Sequence, residues 1–164
     1  MTTFFNAKQE RVKKPPNEEI SWRISAYAIV FNNKGKLLMA LSAVSSKYDL
    51  PGGRIELNES IKDGLVRECY EETGYKIKVG SMRPVFSGEQ YFFSGIHKKF
   101  YHSILLFYNA HLLSEKQEVD AINAHGIYET EKVEWMQLKD LNEQNCQAMH
   151  WPVIKLLQKL EKDR

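Results

Sequence analysis

Pro51-Gly52-Gly53 stands directly ahead of a stretch, residues 59–73, in which apolar positions recur with helical spacing. Ile61, Leu65 and Cys69 repeat every four residues with Val66 and Tyr70 alongside, the stripe of a helix that packs on a sheet. Asn58 or Ser60 can cap its start, Ser60 and Asp63 have capping-box spacing, and Gly74 is placed as the C-terminal stop. Pro51-Gly52-Gly53 breaks both helix and strand and reads as a loop. Between Glu56 and Glu72 six acids face two basic residues, a local charge of −4, while the rest of the chain carries +6. Glu68, Glu71 and Glu72 stand at i, i+3 and i+4 and share one helix face. Such like-charge pairs cost roughly 0.2–0.5 kcal/mol each in a bare helix, and these sit toward the wrong end of its dipole. Arg67 can neutralise Glu71 but cannot serve all three. A hard divalent cation with oxygen ligands offsets the rest. Gly64, four residues before Glu68, and the glycine loop leave room for a metal or phosphate to approach.

Around this unit the pattern alternates as strands. Trp22 to Phe31, Lys36 to Leu41, Lys76 to Val79, Pro84 to Ser87, Gln90 to Phe93, Phe100 to Leu112 and Lys132 to Gln137 read as strands, the first two as a hairpin about Asn32–Gly35. A last helix begins near Pro152 and presents Val153, Leu156, Leu157 and Leu160 as its stripe. With 164 residues, 43% hydrophobic, the chain suits one mixed α/β domain over residues 21–164, preceded by a polar, loosely packed arm over residues 1–20. Trp22, Trp135 and Trp151 are expected in the core. A net charge of +2 excludes a strongly basic nucleic-acid coat. No apolar run approaches the roughly 20 residues of a membrane span, so no membrane partner is expected. Two cysteines and no signal-like leader point to a reducing, cytoplasmic setting.

The run Gly53, five residues, Glu59, seven residues, Arg67-Glu68-Cys69-Tyr70-Glu71-Glu72-Thr73-Gly74-Tyr75 resembles the signature box of the Nudix hydrolases. Every charged and glycine position matches; Cys69 and Tyr75 stand where the family prefers Ile, Leu or Val. The resemblance implies the Nudix α/β/α sandwich with a mixed sheet. It also implies Mg²⁺- or Mn²⁺-dependent hydrolysis of a pyrophosphate bond in a nucleoside diphosphate linked to another group. Glu71 and Glu72 become metal ligands beside the Gly52 carbonyl. Glu68 becomes a ligand or the base for the attacking water, Arg67 orients the glutamates, and Glu59 pairs with Arg67 or holds the loop–helix register.

Beyond the box the family often recruits one more carboxylate from a later loop. Glu115, Glu118, Asp120, Glu129 and Glu131 are the candidates, with Glu118 and Glu129 favoured because their loop can reach across a cleft. Tyr48 stands where many members have a Trp. Tyr91 follows the box by sixteen residues, as in members that split dinucleoside polyphosphates, and such a substrate is the expectation. The alternatives are removal of pyrophosphate from RNA 5′ ends, and a catalytically silent nucleotide-binding sensor. The expected partner is a small-molecule nucleotide, and a homodimer is compatible with the sequence.

Overall fold

The aromatic and β-branched residues of the two longest strands pair in parallel over their shared length, Ile20 opposite Phe100 through Val30 opposite Ala110. The computed structural model describes residues 2–80 and 83–163. In chain order its strands are β1 (Phe4–Phe5), β2 (Arg11–Val12), β3 (Ile20–Val30), β4 (Leu37–Ser42), β5 (Tyr48–Asp49), β6 (Gly52–Arg54), β7 (Ile77–Val79), β8 (Phe86–Ser94), β9 (Lys99–Leu112) and β10 (Thr130–Met136). Helix α1 (Ile61–Thr73) separates β6 from β7, and α2 (Trp151–Lys162) closes the chain. One mixed sheet runs β2-β1-β8-β9-β3-β6, with β7 on the far part of β9; a smaller sheet runs β10-β4-β5.

Strand alternation divides the core in two. Ala26, Ala28 and Val30 of β3 pack under Leu65 and Cys69 of α1. Tyr27 and Ile29, pointing the other way, pack with Val153 and Ile154 of α2. The helices therefore cover opposite faces, giving the α/β/α sandwich. Leu65 is fully buried, and shortening it to Ala costs about 2–5 kcal/mol. Helix α1 starts where Ser60 Oγ accepts the Asp63 amide and ends at Gly74, whose φ of 70° supplies the left-handed stop. No helix among the described residues is long and apolar enough to cross a membrane.

Several expectations are corrected. The residues Gly52 and Gly53 are not loop but strand, paired with Tyr27 and Ala26. Glycine is what allows it: a Cβ on Gly52 would stand 2.1 Å from the Ala26 carbonyl oxygen, and its φ is 139°. β3 and β4 form no hairpin; only the Phe31–Leu37 bridge joins them before β4 enters the smaller sheet. The residues between Pro84 and Phe93 contribute one strand, β8, rather than two. The N-terminal arm is not loose: β1 pairs parallel with β8, and Phe4 is 1% exposed beneath Phe100. Trp22 is 70% exposed, stacked on His102, because β3 runs past the end of α1. The stripe of α2 is Val153, Ile154 and half-buried Leu157, while Leu156 and Leu160 face solvent.

Candidate active site

Helix α1 lies against β6, so the carboxylates on its exposed face meet the two glycines at the sheet edge. Arg67 organises them. Its Nε and Nη2 donate to Glu59 Oε2 and Oε1 at 3.1 and 2.7 Å. Its Nη1 donates to Glu68 Oε1 at 2.9 Å and to Glu71 Oε2 at 3.0 Å. Nη2 also reaches the Arg54 carbonyl at 3.2 Å, tying the helix to the strand before it. The guanidinium fork suits this because its five donors are fixed in one plane. Glu59 is in turn fixed by accepting the Glu56 amide at 2.8 Å.

Glu72 turns the other way, accepting the Gly52 amide at 2.8 Å. Gly53 is also required by the site: a Cβ there would lie 2.5 Å from Glu68 Oε2. Gly64 has a different purpose from the one expected. A Cβ on it would meet Glu59 Oε1 at 2.6 Å and Ile55 Cδ1 at 2.8 Å, so it admits the 55–59 loop rather than a ligand.

The electrostatics separate Glu59 from Glu68 and Glu72. Arg67 holds the Glu59 carboxyl below the usual carboxylate range. Burial pushes Glu68 up in spite of Arg67, and pushes Glu72 well above its ordinary value in spite of the Gly52 amide. Among the described residues no three acidic, histidine or cysteine side chains are closed into a ready cation cage. The reason is local: Arg67 holds Glu68 and Glu71, and Glu72 is turned to the Gly52 amide. The donor set is nevertheless hard oxygen, with two half-buried carboxylates whose charge one arginine does not balance. A divalent cation fits that chemistry.

The later-loop candidates divide. Glu118 is held by Tyr70 Oη at 2.5 Å and Lys76 Nζ at 2.8 Å, lining a cavity of about 790 Å³ beside Glu71 rather than meeting Glu68 or Glu72. Glu129 comes close enough for its charge to raise both Glu68 and Glu72. Asn123, with a left-handed φ of 59°, positions it: its Oδ1 accepts the Glu129 and Thr130 amides, each at 3.0 Å. Nothing local to Asn123 singles it out, because its effect depends on that turn.

The aromatic candidates stand apart from the carboxylates. Tyr48 donates its hydroxyl hydrogen bond to Glu134, which pushes its pKa up to about 12, and packs on the α2-side core. Tyr91 stacks on His102 with ring centres 4.3 Å apart and meets Phe4 edge-on at 5.5 Å. Alternation from Leu106 through His102 places that ring on the α1 side of the sheet, opposite Tyr27. Asp49 was missed in the sequence. Burial raises its pKa, and its Oδ1 lies 3.3 Å from His150 Nδ1. That nitrogen already accepts the Leu50 amide at 2.9 Å, so Asp49 Oδ1 faces a lone pair and gains no hydrogen bond.

The profile of the NUDIX domain matches residues 21–157. This chain belongs to the Nudix family. It is 40% identical over 75 residues to the "Putative 8-oxo-dGTP diphosphatase" of Bacillus subtilis (strain 168), covering 43% of this chain and 50% of that one. It is 30% identical over 86 residues to a "MutT-like protein" of Streptomyces ambofaciens, 52% of this chain and 53% of that one. The chain thus spans about half the length of the curated relatives it matches. Among solved structures, the MutT protein of Methanosarcina mazei Go1 superposes with a TM-score of 0.62 at 23% identity, over 88% of this chain and 98% of that one. The Nudix fold of the sandwich rests on that likeness. Nudix hydrolases generally need a divalent metal, in keeping with the donor set around Arg67.

Proposed function

We propose that this Nudix chain hydrolyses the pyrophosphate bond of a nucleoside diphosphate linked to a further group, with Mg²⁺ or Mn²⁺. It releases a nucleoside monophosphate and a second phosphorylated product. The observation that carries the reading is the face of Glu68, Glu71 and Glu72, held by Arg67 and Glu59 against Gly52 and Gly53. A cation bound there neutralises phosphate charge and makes water a better nucleophile. Glu71, Glu72 and the Gly52 carbonyl are the residues to hold it. Glu68, kept partly desolvated, takes the proton of the attacking water, and Glu129 adds the carboxylate from the facing loop. Arg67 keeps the glutamates in register, and Glu59 keeps Arg67 in place.

For the substrate we place a nucleoside triphosphate ahead of a dinucleoside polyphosphate. Tyr91, the residue that favoured a second base, is occupied by His102 and Phe4. The name of the Bacillus subtilis relative supports the same choice. The test is product release from nucleoside triphosphates, ADP-ribose, sugar nucleotides and dinucleoside polyphosphates with each cation. Metal-dependent release of a nucleoside monophosphate is the expected result. Nucleotide binding with no release from any of them would overturn hydrolysis and mark a sensor; release only from RNA 5′ ends would overturn the small-molecule substrate.

A further inference from the structure

The outer edge of β3 is covered over only part of its length. β6 pairs with Ser25 to Tyr27, and no other described strand lies on that side of Ile20 to Ile24. Alternation fixes which backbone groups are left open there. The Ala28 amide donates to the Pro51 carbonyl, and the Ile24 carbonyl accepts the Ile55 amide, so the even-numbered residues of β3 face the β6 side. The amides and carbonyls of Ile20 and Trp22 and the amide of Ile24 therefore point out of the sheet, with no backbone partner among the described residues. A row of this kind is a template for a further strand.

The side chains along this edge match a second copy of the same chain. Ile20, Trp22 and Ile24 are 44, 70 and 44% exposed, and they share the α1 face with Ala26, where β3 runs past the helix. The same alternation puts Glu19 and Arg23 together on the opposite face. Glu19 is exposed, and neither residue forms an ion pair with a described residue. Arg23 spends Nε on Ser25 Oγ at 3.1 Å, and its guanidinium lies over the rings of Phe92 and Tyr101 at 5.6 and 5.8 Å with no carboxylate beside it. When two such strands pair antiparallel with Ser21 opposite Ser21, Ile20 lies opposite Trp22 and Glu19 opposite Arg23. The two-fold makes each match twice.

The length of the open edge selects that register. At one end β6 occupies Ser25, through Arg54. At the other the chain turns away: the Glu18 amide donates to the Pro15 carbonyl at 3.2 Å, and Pro15-Pro16 cannot continue a ladder. Centring on Ser21 sets Glu18 opposite Ile24, so residues 18–24 of each copy are used from end to end and neither strand runs into the other copy's β6. Centring on Trp22 would set Glu19 against the occupied Ser25 and lose both charge pairs. We infer that two copies of this chain join through β3 into one continuous sheet, across a two-fold axis at Ser21. Outward backbone groups of Ile20 and Trp22 bond in pairs, their side chains meet on one face, and Glu19 faces Arg23 of the second copy on the other. So short a ladder makes a reversible dimer, at the small end of stable interfaces. The pairing does not depend on which bond the site cleaves.

Sedimentation velocity of the full chain at about 1–100 µM tests this, with thermal melts as the folding control. The variants are Trp22→Pro, Glu19→Arg, Arg23→Glu and the exchange Glu19→Arg/Arg23→Glu. Proline at position 22 removes an amide that points out of the edge and no bond between β3 and β9. The wild type is expected to pass from monomer to dimer across the range. Trp22→Pro and each single charge reversal should raise the dissociation constant about tenfold or more, since like charges directly opposite repel. The exchange should return it to the wild-type value, because it restores opposite charges only when residue 19 faces residue 23. If Arg23→Glu does not fold, Glu19→Arg and Trp22→Pro decide. A wild type that stays monomeric throughout overturns the inference and leaves the edge to a strand of another protein. So does a dimer indifferent to Trp22→Pro, which must form elsewhere, or one that folded single reversals weaken and the folded exchange does not restore.

Discussion

Arg67 grips Glu59 with two donors, Nε to Oε2 at 3.1 Å and Nη2 to Oε1 at 2.7 Å. The grip leaves Nη1 for Glu68 and Glu71, so a residue eight positions before Arg67 sets the position of two carboxylates it does not touch. Glu59→Gln keeps one acceptor and loses the charge. The expected outcome is a fall in apparent metal affinity of about 10–100-fold, typical for groups that orient ligands, with the fold intact. Activity titrated against Mg²⁺ checks it: an unchanged half-saturation would show that Glu59 serves only the helix.

Glu68 is expected to matter more directly. Glu68→Gln preserves the shape beside Gly53 but cannot take a proton. Loss of base catalysis lowers kcat by roughly 10²–10⁴-fold. Wild-type turnover in this variant, on the best substrate found, would remove Glu68 from the chemistry.

The half-buried carboxyl of Glu72 gives a pH dependence with a definite sign. Burial raises its folded value well above the 4.5 of a free glutamate, so the folded state holds the proton more tightly than the unfolded one. The metal-free protein should therefore lose stability as pH rises from about 4.5 toward neutrality, where the unfolded chain ionises freely and the folded one does so at a cost. Glu71→Gln/Glu72→Gln should melt higher than wild type at neutral pH without metal and show a flatter profile. It should also lose the stabilisation by Mg²⁺, which arises from binding to the folded state. Melts at two pH values with and without Mg²⁺ decide this; a double variant stabilised by Mg²⁺ as fully as wild type contradicts the site.

Helix α1, its Ser60 and Gly74 caps and the glutamate face were legible because each depends on spacing within about twenty residues. Arg67 and Glu59 were legible for the same reason. What escaped depends on pairing across the sheet. Proline and glycines break strands in general, so residues 51–53 alone point to a loop, and only the closeness of β3 turns the glycines of β6 into a requirement. Trp22 was expected inside because nothing local says that β3 outruns α1. Glu118 and Glu129 looked equivalent until Tyr70 and Lys76 took the one, and the Asn123 turn aimed the other.

The same kind of long-range contact decides what Tyr91 does. Phe4, from the segment expected to be loose, meets Tyr91 at 5.5 Å and Phe100 at 4.9 Å, both edge-on. Phe4→Ala empties a buried site and should cost about 3–5 kcal/mol. Tyr91→Ala removes a half-buried ring from the same group and should lower the melting temperature by less. Both variants should keep the wild-type ranking of one-base and two-base substrates, because these rings brace β1 against the sheet instead of touching a ligand. Melting temperatures beside relative kcat/KM values for GTP and a dinucleoside polyphosphate check it. A Tyr91→Ala protein that melts like wild type, yet loses only the two-base substrate, would return that ring to the binding surface.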